Sequence, residues 1–196
     1  MDPEATAWRA DVPYTRLDAE RGRFVVSYFD RRCAVAYPGG VVTDADTGQE
    51  ASIFTQILVL HYLVTANGAP LKGQWVTFRN LPAGLMYERA FRARSLDSLI
   101  KAFGNDEERF AQAAVSIGGE PARLGDRSFL FRALPRVPLM CVLWLGDEEV
   151  QPEIGILFDA SAGSYLPTED LAALGGTLSG RLLRAAVTKA STRETT

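Results

Sequence analysis

The chain has 196 residues, 47% hydrophobic and 23% charged, which is an ordinary composition for one globular domain. Its net charge of -3 and its pI of about 5.3 argue against a nucleic-acid-binding protein, which usually carries a basic patch. Two cysteines are present, Cys33 and Cys141, far apart in the sequence. A disulfide scaffold, a zinc site or an iron–sulfur cluster would need more ligands at short spacing, so we interpret both cysteines as buried thiols.

The start of the chain is acidic and lacks the apolar core of a signal peptide. The longest apolar runs fall well short of the roughly 18 residues that a membrane span needs. We therefore expect a cytoplasmic protein that binds neither membranes nor nucleic acid.

Residues 1–23 are predicted to form an N-terminal helical segment. Asp2 is suited to cap a helix, Pro3 is suited to its first position, and Pro13 interrupts the pattern before a second helical turn. The rest of the chain is predicted to form a single α+β domain over residues 24–190. A polar, frayed tail is expected over residues 191–196.

Residues 24–37 predict a β-hairpin, because two runs rich in β-branched and aromatic residues flank a polar break at residues 30–32. A short strand is expected after the turn at residues 38–40, followed by a polar loop over residues 44–50. That loop opens with the Asp-x-Asp pattern of a calcium loop. The remaining ligands and the closing glutamate are missing, so calcium binding is not predicted.

Residues 51–66 are predicted to form a central helix that is apolar nearly all round. One of its faces carries Ile53, Ile57, Leu60 and Val64, and the neighbouring positions are filled by Phe54, Leu58 and Tyr62. His61, the single histidine of the chain, lies in the middle of this helix. It is a candidate general base or ligand-binding residue, and the alternative is a partly buried, hydrogen-bonded side chain.

The sequence of the middle of the chain predicts short strands and helices. Residues 73–81 predict a short strand or an anchoring loop. Two short helices are expected at residues 95–103, capped by Ser95, and at residues 106–117, capped by Asn105. A strand follows at residues 129–134.

Two continuous apolar strands, residues 139–145 and 154–158, are predicted to pair as an antiparallel hairpin around the acidic segment 146–153. A final helix is expected with Thr168 as its N-cap, weakened or split by Gly175 and Gly176. The predicted fold class is therefore α+β, with a largely antiparallel sheet of about five strands and packed helices.

Acidic side chains concentrate around this hairpin. Carboxylates that meet at one edge could hold a divalent cation or act as an acid–base pair. The metal-ligand candidates are Asp147, Glu148 and Asp159. The alternative is a solvated turn, and the pairing of the two strands could also leave Asp147 and Asp159 at opposite ends of the ladder.

Aromatic side chains form a second group of candidates. They could line a flat pocket for a planar ligand, or they could belong to the core. The ligand-binding candidates are Trp75, Phe78, Arg79 and Trp144, with Asp147 and Glu148 at the rim and His61 as a further member. The chain contains no Walker pattern, no G-x-G-x-x-G and no G-x-S-x-G, so an ordinary nucleotide enzyme is disfavoured.

Several motifs occur together over about residues 24–174. They are L-x-L-H-Y-L at residues 58–63, G-x-W-V-T-F-R-N-L-P-A-G at residues 73–84, L-W-L-G-D-E-E at residues 143–149 and I-L-F-D-A-S-A-x-x-Y-L at residues 156–166. The combination resembles a prokaryotic family known only as a domain of unknown function and common in anaerobes. Some members of that family carry an iron–sulfur label. The cysteine-rich segment that such a cluster would need is absent here, so this cofactor is not carried over.

Three functions follow as hypotheses. The first is a module that binds a small molecule or cofactor in an aromatic-lined pocket with an acidic rim. The second is a metal-assisted hydrolase or transferase that uses Asp147, Glu148 and Asp159. The third is a protein–protein adaptor, which would present an exposed apolar patch.

Overall fold

The computed structural model describes residues 2–193, and side chains as far as residue 187. The strands are β1 (Tyr14–Arg16), β2 (Gly22–Tyr28), β3 (Arg31–Tyr37), β4 (Val42–Asp44), β5 (Trp75–Thr77), β6 (Glu120–Ala122), β7 (Arg127–Leu134), β8 (Val137–Trp144) and β9 (Glu153–Asp159). The helices are α1 (Pro3–Ala10), α2 (Ile53–Thr65), α3 (Gly84–Phe91), α4 (Asp97–Phe103), α5 (Glu107–Ser116) and α6 (Thr168–Arg193). Short 3-10 helices occur at Phe78–Asn80 and Ala162–Ser164, and a π-helical turn at Arg92–Leu96. The α+β class is confirmed.

The first sheet has four antiparallel strands in the order β1-β2-β3-β4. The predicted hairpin is present as β2 and β3. The N-terminal segment differs from the prediction, because only α1 is helical and Tyr14 pairs with Phe24 at the start of β1. Pairing with β2 therefore incorporates residues 14–16 into the sheet. Within the predicted tail, residues 191–193 continue α6, and residues 194–196 lie outside the described part of the chain.

The second sheet has five antiparallel strands in the order β5-β9-β8-β7-β6. The prediction of a largely antiparallel sheet is borne out, although the strands divide between two sheets. The β8–β9 hairpin is confirmed, with Leu139 opposite Phe158 at one end and Trp144 opposite Glu153 at the other. β5 pairs with β9 only from Trp75 to Thr77, so it covers only part of that edge.

The face of α2 that carries Ile53, Ile57 and Val64 is largely exposed. Ile53 and Val64 are 71% and 61% exposed, and Ile57 is also exposed. The residues that enter the core are Leu58, Val59, Tyr62 and Leu63. The buried Tyr62 hydroxyl donates to the Ala10 carbonyl at 2.7 Å and accepts from the Arg136 amide at 3.1 Å.

The segment from α3 to α4 is one helical run with a π-helical turn in its middle. Ser95 lies inside that turn and makes no capping bond, contrary to its predicted role. The N-cap of α5 is Asp106, whose carboxylate accepts from the Arg109 amide, and not Asn105.

α6 runs without interruption through Gly175 and Gly176, which were predicted to weaken or split it. A Cβ at Gly175 would lie 2.7 Å from Cε2 of Phe91. The missing side chain therefore allows the Phe91 ring to contact the helix, so packing rather than helix termination accounts for this glycine.

A single large core joins the two sheets and their helices, from Ala7 in α1 to Ala186 in α6. The amide of Phe29, between β2 and β3, donates to the Ala133 carbonyl of β7 and links the sheets directly. Within residues 2–193, none of the helices combines the length and apolar character needed to cross a membrane.

Candidate functional site

Asp147 lies in an exposed turn after β8. Its Oδ1 accepts from the amides of Glu149 and Val150, both at 2.8 Å, and these bonds lower the pKa of the carboxyl. The Asp147 amide donates to the Val150 carbonyl and closes the turn. Glu148 projects from the same turn and is exposed. The Asp147 carboxylate therefore organises its own loop.

Asp159 ends β9 and is only 2% exposed. Its Oδ1 accepts from the Lys72 amide at 3.0 Å and from the amide and hydroxyl of Ser161 at 2.9 and 2.5 Å, and its Oδ2 accepts from the Gly73 amide at 2.7 Å. Burial raises the pKa of this carboxyl, but the hydrogen bonds outweigh burial and leave the pKa below its usual value. Asp159 therefore fixes the loop that enters β5 to the turn that leaves β9.

The three metal-ligand candidates are not brought together. Asp147 follows the end of β8 where Trp144 pairs with Glu153, whereas Asp159 lies beyond the opposite end, where Leu139 pairs with Phe158. Five residue steps separate the two pairs, a length of about 17 Å. Among the side chains that the structure describes, residues 2–187, no group of three or more His, Cys, Asp or Glu is arranged to hold a metal ion.

His61 lies on α2 with its side chain 51% exposed, and its Nδ1 is 2.6 Å from Oδ2 of Asp170 on α6. A carboxylate at this nitrogen can orient an imidazole as a general base. His61 lines neither of the cavities described below. The structure thus pairs His61 with Asp170, separately from the other predicted site residues.

The predicted aromatic residues are divided between the two faces of the second sheet. Phe78 is buried in the main core, where its ring stacks on Phe91 at a centroid distance of 4.2 Å. Trp75 and Trp144 are partly buried on the outer face, against a small cluster of Met140, Val142 and Leu157.

A cavity of about 500 Å³ opens along the edge of β9, where β5 has ended. It brings together Phe78, Arg79 and Trp144, three of the predicted ligand-binding residues. Trp75, Asp147 and Glu148 are not part of its lining. The other walls come from β9 and from the helical run after Gly84, with Phe91, Leu96, Ile154, Gly155, Ile156 and Leu157 as apolar members.

Charged side chains at the mouth of this cavity are mostly paired with one another. Arg92 Nη1 is 3.2 Å from Glu153 Oε1, and Arg92 Nε is 3.7 Å from Asp97 Oδ1. Arg79 Nε is 3.8 Å from Glu88 Oε2. These partly exposed pairs are weak, so a polar ligand group could replace either partner at little cost.

The model for a family described as a domain of unknown function, DUF3786, matches residues 2–181. The chain belongs to this family. No curated protein and no solved structure shows significant similarity to this DUF3786 chain. The resemblance read from the motifs is thereby confirmed at the level of an uncharacterised family.

Several lining residues of the DUF3786 cavity were not among the predicted site residues. Glu88 and Arg92 belong to the helical run after Gly84, and Glu153 belongs to the acidic segment 146–153 of the predicted hairpin. The sequence signal for these residues is the spacing of Glu88 and Arg92, which places opposite charges four residues apart on one helix face.

Proposed function

We propose that this protein binds a small organic molecule in the cavity at the edge of β9. The observation that carries the proposal is a concave site with aromatic walls and a small number of convergent polar groups, the usual make-up of a ligand pocket. Its volume of about 500 Å³ lies in the range of such pockets.

The backbone of β9 adds directional polar groups to this cavity. Successive residues of an antiparallel strand direct their amide and carbonyl groups alternately to the two neighbours. The Ala160 amide donates to the Gln74 carbonyl on the β5 side. The backbone amide and carbonyl groups of Phe158, Ile156 and Ile154 therefore also point to the β5 side. β5 ends at Thr77, opposite Leu157, and no described strand pairs with Ile154 on that side.

The composition of the walls favours a ligand with a flat apolar body and hydrogen-bonding groups on its edge. Such a body would contact the Trp144 indole and the apolar side chains of β9, and its edge would reach the backbone of Ile154. Arg79, Arg92, Glu88 and Glu153 supply charges of both signs at the mouth, which suits a ligand carrying polar groups of mixed character.

The test is a thermal-shift screen of the full chain against nucleotides, flavins, haem and corrinoids, repeated with Trp144→Ala and Trp75→Ala. A ligand at about 100 times its Kd stabilises the folded state by about 2.7 kcal/mol, which shifts Tm by several degrees in a domain of this size. Both tryptophans pack in the same outer cluster, but only Trp144 lines the cavity. We expect a stabilising ligand whose effect is lost in Trp144→Ala and retained in Trp75→Ala.

Equal loss in both variants would contradict the proposal, because it would indicate damage to the shared cluster rather than to the cavity. A ligand whose effect survives Trp144→Ala would have to bind elsewhere. The absence of any stabilising compound would favour the adaptor hypothesis instead.

A further inference from the structure

A second cavity, of about 510 Å³, lies on the other side of Phe91. Its walls come from α2, from the α3 run with its π-helical turn, and from α6. Phe54, Tyr87, Phe91 and Ala173 provide apolar surface, and Gly176 lies in the α6 wall. Phe54 is 47% exposed.

Ser95 places its hydroxyl in the wall of this cavity. The residue is 1% exposed, lines the cavity and makes no hydrogen bond with the described part of the chain. A helical serine ordinarily satisfies its hydroxyl at a carbonyl of the preceding turn. A hydroxyl that faces a cavity and makes no bond with its own helix is available to donate a hydrogen bond to a ligand bound there.

Arg94 adds a positive charge to the same cavity. Its Nε donates to the Ala90 carbonyl at 3.2 Å, and its guanidinium makes no ion pair with the described side chains, residues 2–187. This differs from the first cavity, where Arg79 and Arg92 already have carboxylate partners. The free nitrogens of Arg94 form a planar fork that matches a carboxylate.

Glu169, in the first turn of α6, is the acidic residue among the lining side chains. It is exposed and makes no ion pair with the described residues. Its negative charge disfavours a dianionic ligand such as a phosphate monoester, because like charges at one site repel. A single carboxylate can bind to Arg94 at a lower electrostatic cost.

We propose that this second cavity binds an amphipathic monocarboxylate. Its carboxylate would accept hydrogen bonds from Arg94 and Ser95, and its aliphatic or aromatic body would contact Phe54, Tyr87 and Phe91. This inference is independent of the function proposed for the β9 cavity, because the two sites share Phe91 but use different polar groups.

The test compares 3-phenylpropionate with 3-phenylpropanamide, which has nearly the same shape but no charge, by ligand-observed NMR titration of the full chain. We expect the carboxylate to bind at least about tenfold more tightly, because hydrogen bonds to charged groups are the stronger ones. Arg94→Gln should abolish this difference, and Ser95→Ala should reduce it. Trp144→Ala, which alters the other cavity, should leave both affinities unchanged.

Two Gly→Ala variants on α6 test the contact with the Ser95 hydroxyl, and the second of them is the matched control for the first. A Cβ at Gly176 would lie 3.6 Å from Ser95 Oγ, so Gly176→Ala should fit without a clash and cover the hydroxyl. Gly180→Ala, one turn further along α6, makes the same change outside the cavity lining. We expect Gly176→Ala to weaken 3-phenylpropionate binding severalfold, and Gly180→Ala to leave it unchanged.

Four results would overturn the proposal. The first is equal affinity for the carboxylate and the amide. The second is tighter binding of 2-phenylethylamine, which would make Glu169 the dominant charge. The third is failure of 3-phenylpropionate to bind, and the fourth is its unchanged binding to Gly176→Ala.

Discussion

Asp147 and Asp159 lie at the two ends of the β8–β9 hairpin and accept similar hydrogen bonds in different surroundings. Each carboxylate accepts the amide two residues further along the chain, from Glu149 and Ser161 respectively. Asp147 is exposed and its other partner is the next amide of its own turn. Asp159 is buried and joins two segments that are far apart in the sequence.

The comparison shows that the contribution of a carboxylate to stability depends less on its number of hydrogen bonds than on its burial and on whether its partners lie in distant parts of the sequence. The amides around Asp147 can turn to water when the carboxylate is removed. The Ser161 amide beside Asp159 is buried and would lose its partner without replacement, whereas the more exposed amides of Lys72 and Gly73 would lose the link between their loop and the end of β9. Both residues were metal-ligand candidates from the sequence, and both have a structural role as turn-forming acceptors.

The largest effect is expected for Asp159→Ala. This change removes the acceptor for the amides of Lys72, Gly73 and Ser161, and we expect a loss of about 3 kcal/mol in the free energy of unfolding, measured by urea denaturation. Ser161→Ala, which removes one hydroxyl donor, serves as a graded control with an expected loss of about 1 kcal/mol. An Asp159→Ala loss no larger than that of Ser161→Ala would contradict this description.

An intermediate effect is expected in the pH dependence of stability. The folded-state pKa of Asp159 is lowered, so its contribution is complete above the unfolded-state pKa, near 3.8, and is lost as the pH falls through the folded-state value. The stability of the wild-type chain should therefore decline below about pH 4. Asp159→Asn should be less stable at pH 7 and show a flatter acid limb, measured by urea denaturation from pH 7 to pH 3.

The smallest effect is expected for Asp147→Ala. Its carboxyl pKa is also lowered, but the group is fully exposed and its amide partners can bond to water. We expect the urea midpoint to change less than in Ser161→Ala, with resonance changes in an NMR amide spectrum confined to the turn. A loss as large as that of Asp159→Ala would show that the exposed turn stabilises the hairpin after all.

The hairpin that carries both residues could be predicted from the sequence. Residues 139–145 and 154–158 are continuous apolar runs bounded by proline and by an acidic turn, and both became strands with antiparallel pairing. The turn chemistry of Asp147 is equally local. The role of Asp159 was not predictable, because its partners Lys72 and Gly73 are distant in sequence and meet it only after β5 and β9 pair.

The orientation of α2 shows a limit of hydrophobic periodicity. The helix is apolar nearly all round, so the pattern could not decide which face enters the core. The structure buries Leu58, Val59 and Tyr62, and leaves Ile53 and Val64 exposed. The hydroxyl bonds of Tyr62 to Ala10 and Arg136 fix this orientation, and both partners are remote in sequence.

The candidate sites were predictable only in part. Aromatic content suggested Phe78 and Trp144, which do share a cavity, but Trp75 packs on the outer face of the sheet because it alternates with its neighbours along β5. Gly176 lies in the wall of the second cavity and Gly175 packs against Phe91, although in the sequence the pair has the composition of a helix stop. The use of Gly175 as a contact surface for Phe91 becomes evident only when α3 and α6 are seen together.

The π-helical turn at Arg92–Leu96 makes the structure sensitive to the deletion of a residue at this point. Such a turn accommodates one residue more than an α-helix would, so deleting a single residue there could restore an ordinary α-helix without breaking the run. Every residue before the deletion would then rotate by about 100° around the helix axis relative to α4. Phe91 would leave its place opposite Gly175, and one deletion in a helix would open the wall between two cavities.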